Sequence, residues 1–460
     1  MENGLKKKYG LLTAIAMVVG IVIGSGVFFK AEAVLKATGG NMPMGIIAWL
    51  IVGFIMIVCS YTFATMAAKY EKGNGIVDYA ETTVGKKYGY YVGWFMAVIY
   101  NPTLTSVLAW VCARFTCVLL GWDITGGSCM TITCFYLICS YALNSLSPIL
   151  AGKFQVATTV IKLIPLLLMA VIGTCIGLSN NMTVQNFSHA AATGSSAGGG
   201  LFASVVAVAF AYEGWIIATS INAELKDSKK NLPRALVWGS LIVVAVYVFY
   251  YIGLAGVVPT KTLMENGQAG AKLAFQNIFG PIGGSLIFIF VIISCLGTLN
   301  GFMLACTRGI YALSIRDSGP APTVFSQVDF ATNMPGNSSM IGLLLCGFWL
   351  LYFYGAMLTP NPWFGPFCFD TSELPIITLY GSYIPIFVML MVKEKDLNPM
   401  KRIIMPVLSI LGCVFMIIAA FFAHGISAIY YLIVFAVIML IGILFAPHQH
   451  GAKANAKDRK

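Results

Sequence analysis

Ile23-Gly24-Ser25-Gly26-Val27-Phe28 interrupts a long apolar run with two glycines and a serine, and Phe210-Ala211-Tyr212-Glu213-Gly214-Trp215 interrupts a second one. A membrane helix should continue unbroken at both places, because a freed backbone N–H or C=O in hydrocarbon costs several kcal/mol. Such an interruption survives only beside a cavity, packed protein or a ligand that satisfies the freed groups. Paired interruptions at corresponding positions of two halves point to a transporter's binding site.

Composition excludes an ordinary soluble domain. Of 460 residues, 58% are hydrophobic and 10% charged, with mean hydropathy +0.85, whereas a soluble domain carries roughly a quarter charged residues. A spanning helix needs about 20 mostly apolar residues, and about twelve such segments are legible. Among them are 88–120, 283–313 and 363–391. The expected fold class is an all-α membrane protein with about 12 transmembrane helices.

A net charge of +11 could belong to a nucleic-acid binder, but the basic residues alternate with the loops. Of 28 Lys and Arg, only Lys36, Lys261 and Lys272 fall on the side opposite the termini, while Lys30, Arg114 and Lys162 fall within spans. Positively charged loops stay in the cytoplasm. Both termini are therefore expected there, in a multi-pass protein of the cell (cytoplasmic) membrane whose partner is the lipid bilayer and not nucleic acid. The apolar stretch 11–29 follows Lys6-Lys7-Lys8, as in a signal peptide, yet no small-residue cleavage pattern follows; it reads as a retained first helix. Most of the 12 cysteines sit in apolar spans with no CxxC pair and no His at ligand spacing. They read as packing residues, and no metal, cofactor or disulfide framework is implied. No nucleophile with a base is visible, which argues against an enzyme.

The two breaks fall in the first and sixth spans, five spans apart. That spacing fits two five-helix inverted repeats, about 11–178 and 201–391, followed by two extra helices at about 402–446 and a basic tail at 447–460, in one transporter domain over 1–460. Because five is odd, the second unit enters the membrane from the opposite side and the two gaps meet near the midplane. Each gap offers a half-helix N-terminus with free N–H groups and a half-helix C-terminus with free carbonyls. The first attracts a carboxylate and the second an ammonium, so a zwitterionic α-amino acid fits the pair.

On these residues the chain resembles the amino acid, polyamine and organocation (APC) superfamily. Within it the chain is most similar to bacterial relatives of the L-type amino acid transporters, the serine/threonine exchanger type among them. The resemblance covers nearly the whole chain. It rests on Gly24-Ser25-Gly26-Val27-Phe28, on Phe210 to Trp215, on Glu224-Leu225-Lys226, on Lys230-Asn231-Leu232-Pro233-Arg234-Ala235 and on Leu296-Gly297-Thr298-Leu299-Asn300-Gly301. It implies a LeuT-like 5+5 inverted repeat with broken helices 1 and 6. It also implies that the N–H groups of Ser25 and Gly26, in the Gly24 to Gly26 turn, receive the substrate carboxylate with the Ser25 hydroxyl. Carbonyls near Val22, Phe210 and Glu213 would receive the α-ammonium, and Phe210 would cover the substrate as a thin gate. Asn101, beside Pro102, matches the region that lines the side-chain pocket in relatives; a kinked helix with a satisfied amide is the alternative.

Lys162, at the centre of the fifth span, needs partners or a purpose, since a mid-helix lysine costs roughly 2.5–3.5 kcal/mol on insertion. The matching family lysine ties the fifth helix to the break of the first and to the eighth, where distant carriers hold sodium. Glu213 stands where many relatives have Asp or Gly, and could pair with Lys162 or another base, sense protons or attract a cationic side chain. Glu224 opens a charged segment expected to hold the inner gate, and Lys30, Glu32 and Arg114 lie toward the outside. The implied function is sodium-independent exchange of neutral L-amino acids by alternating access. Alternatives are a proton-coupled amino acid symporter, a cationic amino acid or polyamine carrier, and a non-transporting amino acid sensor. Eukaryotic relatives pair with a single-span glycoprotein through an outside cysteine; only Cys129 lies near that loop, and no heavy-chain partner is expected.

Overall fold

Leu11–Val22 (α1) and Gly26–Ala37 (α2) are two helices where an uninterrupted apolar segment would make one. The computed structural model describes residues 10–70, 75–188, 197–217, 219, 225–267 and 269–446. Among them, 11 helices are long and apolar enough to cross a membrane, or up to 12 with the bent α1–α2 pair counted as one span. The spans after α2 are Met42–Lys69 (α3) and, beyond a short helix at Ile76–Thr83 (α4), Lys86–Leu120 (α5), Gly127–Leu146 (α6) and Pro148–Ser179 (α7). The second half holds Ala197–Ala211 (α8), Ser228–Val257 (α9), Ala269–Ser314 (α10), Gly336–Leu358 (α11), Leu374–Lys393 (α12), Met400–His424 (α13) and Ile426–Ile443 (α14).

Large apolar side chains face outward along these helices, among them Phe54, Ile138, Leu344, Phe422 and Leu440. Exposed leucine and phenylalanine over whole helix faces would be costly in water and is favourable against lipid tails. The interior is closed by small residues, which let membrane helices approach. Gly239 of α9 packs on Val18 of α1, Gly45 of α3 on Tyr251 of α9, and Gly253 and Gly256 of α9 on the backbone of α7 at Met169 and Gly173.

Two span boundaries differ from those expected. The tenth span begins at Leu374 and not near 363, because Pro362, the left-handed Gly365 (φ 55°) and Pro366 keep the chain irregular, with one tight turn at Gly365–Phe367. In α10 the helical run starts at Ala269, but Gly280 (φ 74°, ψ 172°) followed by Pro281 breaks it before the membrane-crossing part. Between α3 and α5 the chain also forms α4, a buried helix in the connection between two spans. Its Ile76, Val77, Tyr79 and Ala80 turn inward, and that apolar period over two turns is too short to stand out from sequence alone.

A methyl group added at Gly256 would overlap the Gly173 carbonyl oxygen. Gly256→Val should therefore force α7 and α9 apart and destabilise the fold by about 1–3 kcal/mol, the usual cost of overpacking. A thermal or denaturant unfolding curve in detergent equal to that of the unmodified protein would refute the close packing.

Candidate functional site

In the first break Val22 ends α1 and Ile23 turns extended (ψ 110°), its N–H bonded to the Val19 carbonyl at 2.8 Å. The axis of α2 is bent by 44° from that of α1. The first backbone bond of α2 runs from Phe29 N–H to Ser25 C=O at 2.8 Å. The N–H groups of Gly26, Val27 and Phe28 thus precede any intrahelical acceptor, which leaves a cluster of donors at a helix N-terminus. The second break follows Ala211, where the Tyr212 N–H is shared between the Val208 and Ala209 carbonyls (3.4 and 3.2 Å), the Glu213 N–H reaches the Phe210 carbonyl at 3.4 Å, and Gly214 takes φ 101°.

Glycine is required here by contact as well as by conformation. A methyl group at Gly26 would strike the Ala211 backbone, one at Gly24 the Thr298 side chain, and one at Gly214 the Ile21 side chain. The two breaks therefore meet backbone to backbone. Between them lies a narrow cavity lined by Val22, Gly24, Ser25, Gly26, Phe210 and Glu213. Only about 10 Å³ of it is open to a water-sized sphere, room for roughly one water molecule, so any larger solute requires the walls to move. Six of the expected site residues thus come together around one space.

Four further walls are Leu104 and Leu108 of α5 and Thr298 and Phe302 of α10. Thr298 lay within the quoted Leu296 to Gly301 motif; Leu104, Leu108 and Phe302 carried no signal beyond apolar character in a span. Asn101 is buried one turn before Leu104 and is not among the lining residues. Glu224 lies outside the described residues.

Two polar atoms at the cavity residues are buried without a hydrogen-bond partner, Ser25 Oγ and Glu213 Oε1. Buried polar atoms of this kind ordinarily find partners, so each calls for an explanation. Glu213 does not pair with Lys162. Its Oε2 accepts the Tyr100 hydroxyl and, at 3.4 Å, the Gly214 N–H. The Lys162 ammonium instead donates to the Gly20 carbonyl of α1 at 2.5 Å. The eighth span is met one turn away, where Thr158 packs on Gly297.

One end of the cavity is roofed by aromatic rings. Phe210 packs edge-on against Phe29 (5.7 Å between centroids), which packs on Trp110 (5.9 Å). The Lys30 ammonium sits 5.3 Å from the Phe210 ring centre and bonds Glu373 at 2.5 Å and Ser372 at 3.2 Å. His424 Nε2 lies 3.0 Å from the other Glu373 oxygen. Lys30, an outward lysine on the sequence reading, thus forms with Glu373 one buried pair tying α2 to α12 and α13. Toward the opposite end, Arg316 joins α10 to Asp78 and Glu81 of α4 (2.6 and 3.4 Å), and Lys69 bonds Glu394 and Asp396. The bond from Lys69 holds the exposed Asp396 carboxyl below its ordinary range.

With this geometry the chain can be set beside known proteins. The amino acid permease family profile matches residues 9–444. The chain belongs to the amino acid permease family. It is 31% identical to the serine/threonine exchanger SteT of Bacillus subtilis (strain 168), over 98% of either chain. It is 25% identical to the human b(0,+)-type amino acid transporter 1, over 96% of this chain and 88% of that one. It is also 25% identical to the aspartate-proton symporter of Bacillus subtilis (strain 168), over 92% and 80%. Among solved structures it superposes on MhsT in complex with L-phenylalanine with a TM-score of 0.58 at 15% identity, covering 95% of this chain and 100% of that one. That likeness concerns the fold.

Glu373→Gln would leave Lys30 buried without its anion, and breaking a buried pair costs about 3–5 kcal/mol. The roof should open more often. With the exposed native thiols replaced and Ser25→Cys as reporter, a membrane-impermeant thiol reagent should label Glu373→Gln several times faster than the Glu373 protein. Equal rates would mean that the pair does not hold the roof.

Proposed function

We propose that this protein is a secondary active transporter that moves L-amino acids across the cell membrane by alternating access, exchanging neutral amino acids without sodium. The observation that carries the reading is the pair of helix breaks facing one small cavity, with free N–H donors and the orphaned Ser25 hydroxyl on the α2 side and helix-end carbonyls on the α1 and α8 side. A carboxylate is stabilised at a helix N-terminus and an ammonium at a helix C-terminus. An α-amino acid carries both groups on one carbon, so its constant part is recognised by backbone while its side chain meets Leu104, Leu108, Thr298 and Phe302. Family membership and the exchanger SteT, similar over almost the full length, favour exchange.

In this reading the broken helices 1 and 6 rock against the rest of the bundle, with Phe210 closing the outer face and the inner half of helix 1 closing the inner one, held by ion pairs of the charged segment that Glu224 opens. Both termini lie in the cytoplasm, and the carrier works without an obligatory heavy chain. The lysine ammonium on Gly20 supplies a fixed positive charge beside the first break, which disfavours sodium at that place. Proton-coupled uptake is the second reading, favoured by the unpartnered Glu213 Oε1 and by similarity to the aspartate-proton symporter.

Uptake of a panel of labelled L-amino acids into proteoliposomes separates the two. Exchange requires at least a several-fold stimulation by unlabelled amino acid inside and none by a pH gradient. Accumulation in empty vesicles driven by a pH gradient would replace exchange by symport. No movement of any amino acid would sink the substrate class.

A further inference from the structure

The last span, α14, is the least buried of the 11 unbroken spans, with 17% of its residues buried. Hydrogen bonds hold it to the bundle at two levels. The Tyr90 hydroxyl and the Trp94 indole N–H of α5 donate to the Gly442 and Ile438 carbonyls (2.6 and 3.0 Å), and the Thr378 hydroxyl of α12 donates to the Tyr431 oxygen (2.7 Å). Beside it, between α5, α12 and α13, runs a groove with about 320 Å³ open to a water-sized sphere, far more than at the helix breaks. Phe95, Ile377, Ile417, Phe435 and Met439 are among its walls. From Ala428 to Met439, both on those walls, α14 rises about 16 Å at 1.5 Å per residue. That is close to the hydrocarbon depth of one leaflet, about 15 Å. The hydroxyls of Tyr88 and Ser382 on the same walls already donate to the Ser382 and Leu379 carbonyls (2.7 and 2.6 Å). The groove therefore suits hydrocarbon, and left empty it would forfeit the dispersion contacts of its lining.

The mouth at which α5 begins and α14 ends is basic. Lys86 and Lys87 are exposed there, and neither has an ion pair among the described residues. Lys87, Tyr91 and Phe95 stand at i, i+4 and i+8, so the lysine belongs to the stripe whose next two members line the groove. Helical side chains lean toward the helix N-terminus, which aims this ammonium out of the hydrocarbon and into the headgroup layer. Lys393, at the end of α12, donates to the Thr82 carbonyl just before α5 (3.3 Å), so a third cation stands close by. The carboxylates of this region are engaged elsewhere, Glu81 with Arg316, and Glu394 and Asp396 with Lys69.

We propose that the groove binds an anionic phospholipid, one acyl chain lying between α14 and α12 and the phosphate held by Lys86 and Lys87. The proposal goes beyond the transport reading and is independent of the solute carried. The chain supplies the packing that α14 lacks, and the lysines select a negative headgroup. At its far end the groove reaches Leu374, next to Glu373, so a bound chain also braces the helix start that holds Lys30.

The test uses the full-length protein, purified in neutral detergent and stripped of native lipid. Native mass spectrometry and thermal unfolding follow the addition of phosphatidylglycerol, of phosphatidylcholine with the same chains, and of glycerol 1-phosphate, which carries the charge without the chains. Phosphatidylglycerol should bind roughly twentyfold more tightly than phosphatidylcholine, about fivefold for each of the two exposed lysines. It should also raise the unfolding temperature by several degrees, and glycerol 1-phosphate should not. Lys86→Gln combined with Lys87→Gln, both on exposed surface, should remove the preference and leave phosphatidylcholine binding unchanged. Gly381→Leu, at a groove position where an added β-carbon meets only Ile417 at 3.8 Å, should take the chain's place and weaken both lipids alike. Equal binding of the two lipids by the unmodified protein overturns the proposal, and so does a preference that survives loss of both lysines. Stabilisation by glycerol 1-phosphate alone, or undiminished lipid binding by Gly381→Leu, also overturns it. A mass of two copies that falls to one in Gly381→Leu would make the groove a contact between copies of this chain instead.

Discussion

In hydrocarbon every backbone N–H and C=O needs a partner, and the two breaks release several of each at the middle of the bundle. The surrounding structure answers that demand group by group. Tyr247 serves the Val22 and Ala211 carbonyls, the Lys162 ammonium serves Gly20, and the Ile23 N–H turns back to Val19. What is left over is directional: N–H groups and one serine hydroxyl on one side, carbonyl lone pairs on the other. The same constraint that makes the breaks expensive thus produces a polar cavity with a defined axis inside an apolar protein.

Closeness of the two breaks depends on what is missing as much as on what is present. Gly24, Gly26 and Gly214 meet Thr298, Ala211 and Ile21 at distances that leave no room for a β-carbon. The stripe of Gly253 and Gly256 draws α9 onto α7, and Gly239 draws it onto α1, which delivers Tyr247 and Lys162 to the same region. Packing between α7, α9 and α1 is therefore part of the site although Gly239, Gly253 and Gly256 do not line the cavity.

The fold was legible because its signals are local. Apolar runs of spanning length and glycine-serine interruptions need no knowledge of distant contacts, and the resemblance at the breaks brought in Ser25, Gly26, Phe210 and Glu213. Pairings between distant spans left no such trace. Glu213 was weighed as a partner of Lys162 because both are buried charges near the breaks, but α7 presents the lysine to α1, whereas the second break turns the carboxylate to Tyr100 of α5. Lys30 and Glu373 are 343 positions apart, and nothing in either local sequence names the other. Tyr247 is one of 21 tyrosines, many of them in apolar spans, and only the position of its hydroxyl sets it apart.

A site whose constant contacts are backbone groups has an evolutionary consequence. Side-chain replacement cannot remove a helix-end N–H or carbonyl, so under the proposed reading recognition of the α-carboxylate and α-ammonium would persist while the sequence drifts around it. On that proposal, selectivity among amino acids would fall to the remaining walls, Leu104, Leu108, Thr298 and Phe302, together with the free oxygen of Glu213. One methylene more or less against an apolar wall is worth only about 1–3 kcal/mol, whereas an unpaired buried acceptor discriminates more strongly against a ligand that cannot satisfy it. Of these five residues Glu213 would therefore have the most leverage over substrate choice in the proposed site: the three apolar side chains would set how large a substrate fits, and the carboxylate whether it must bring a donor.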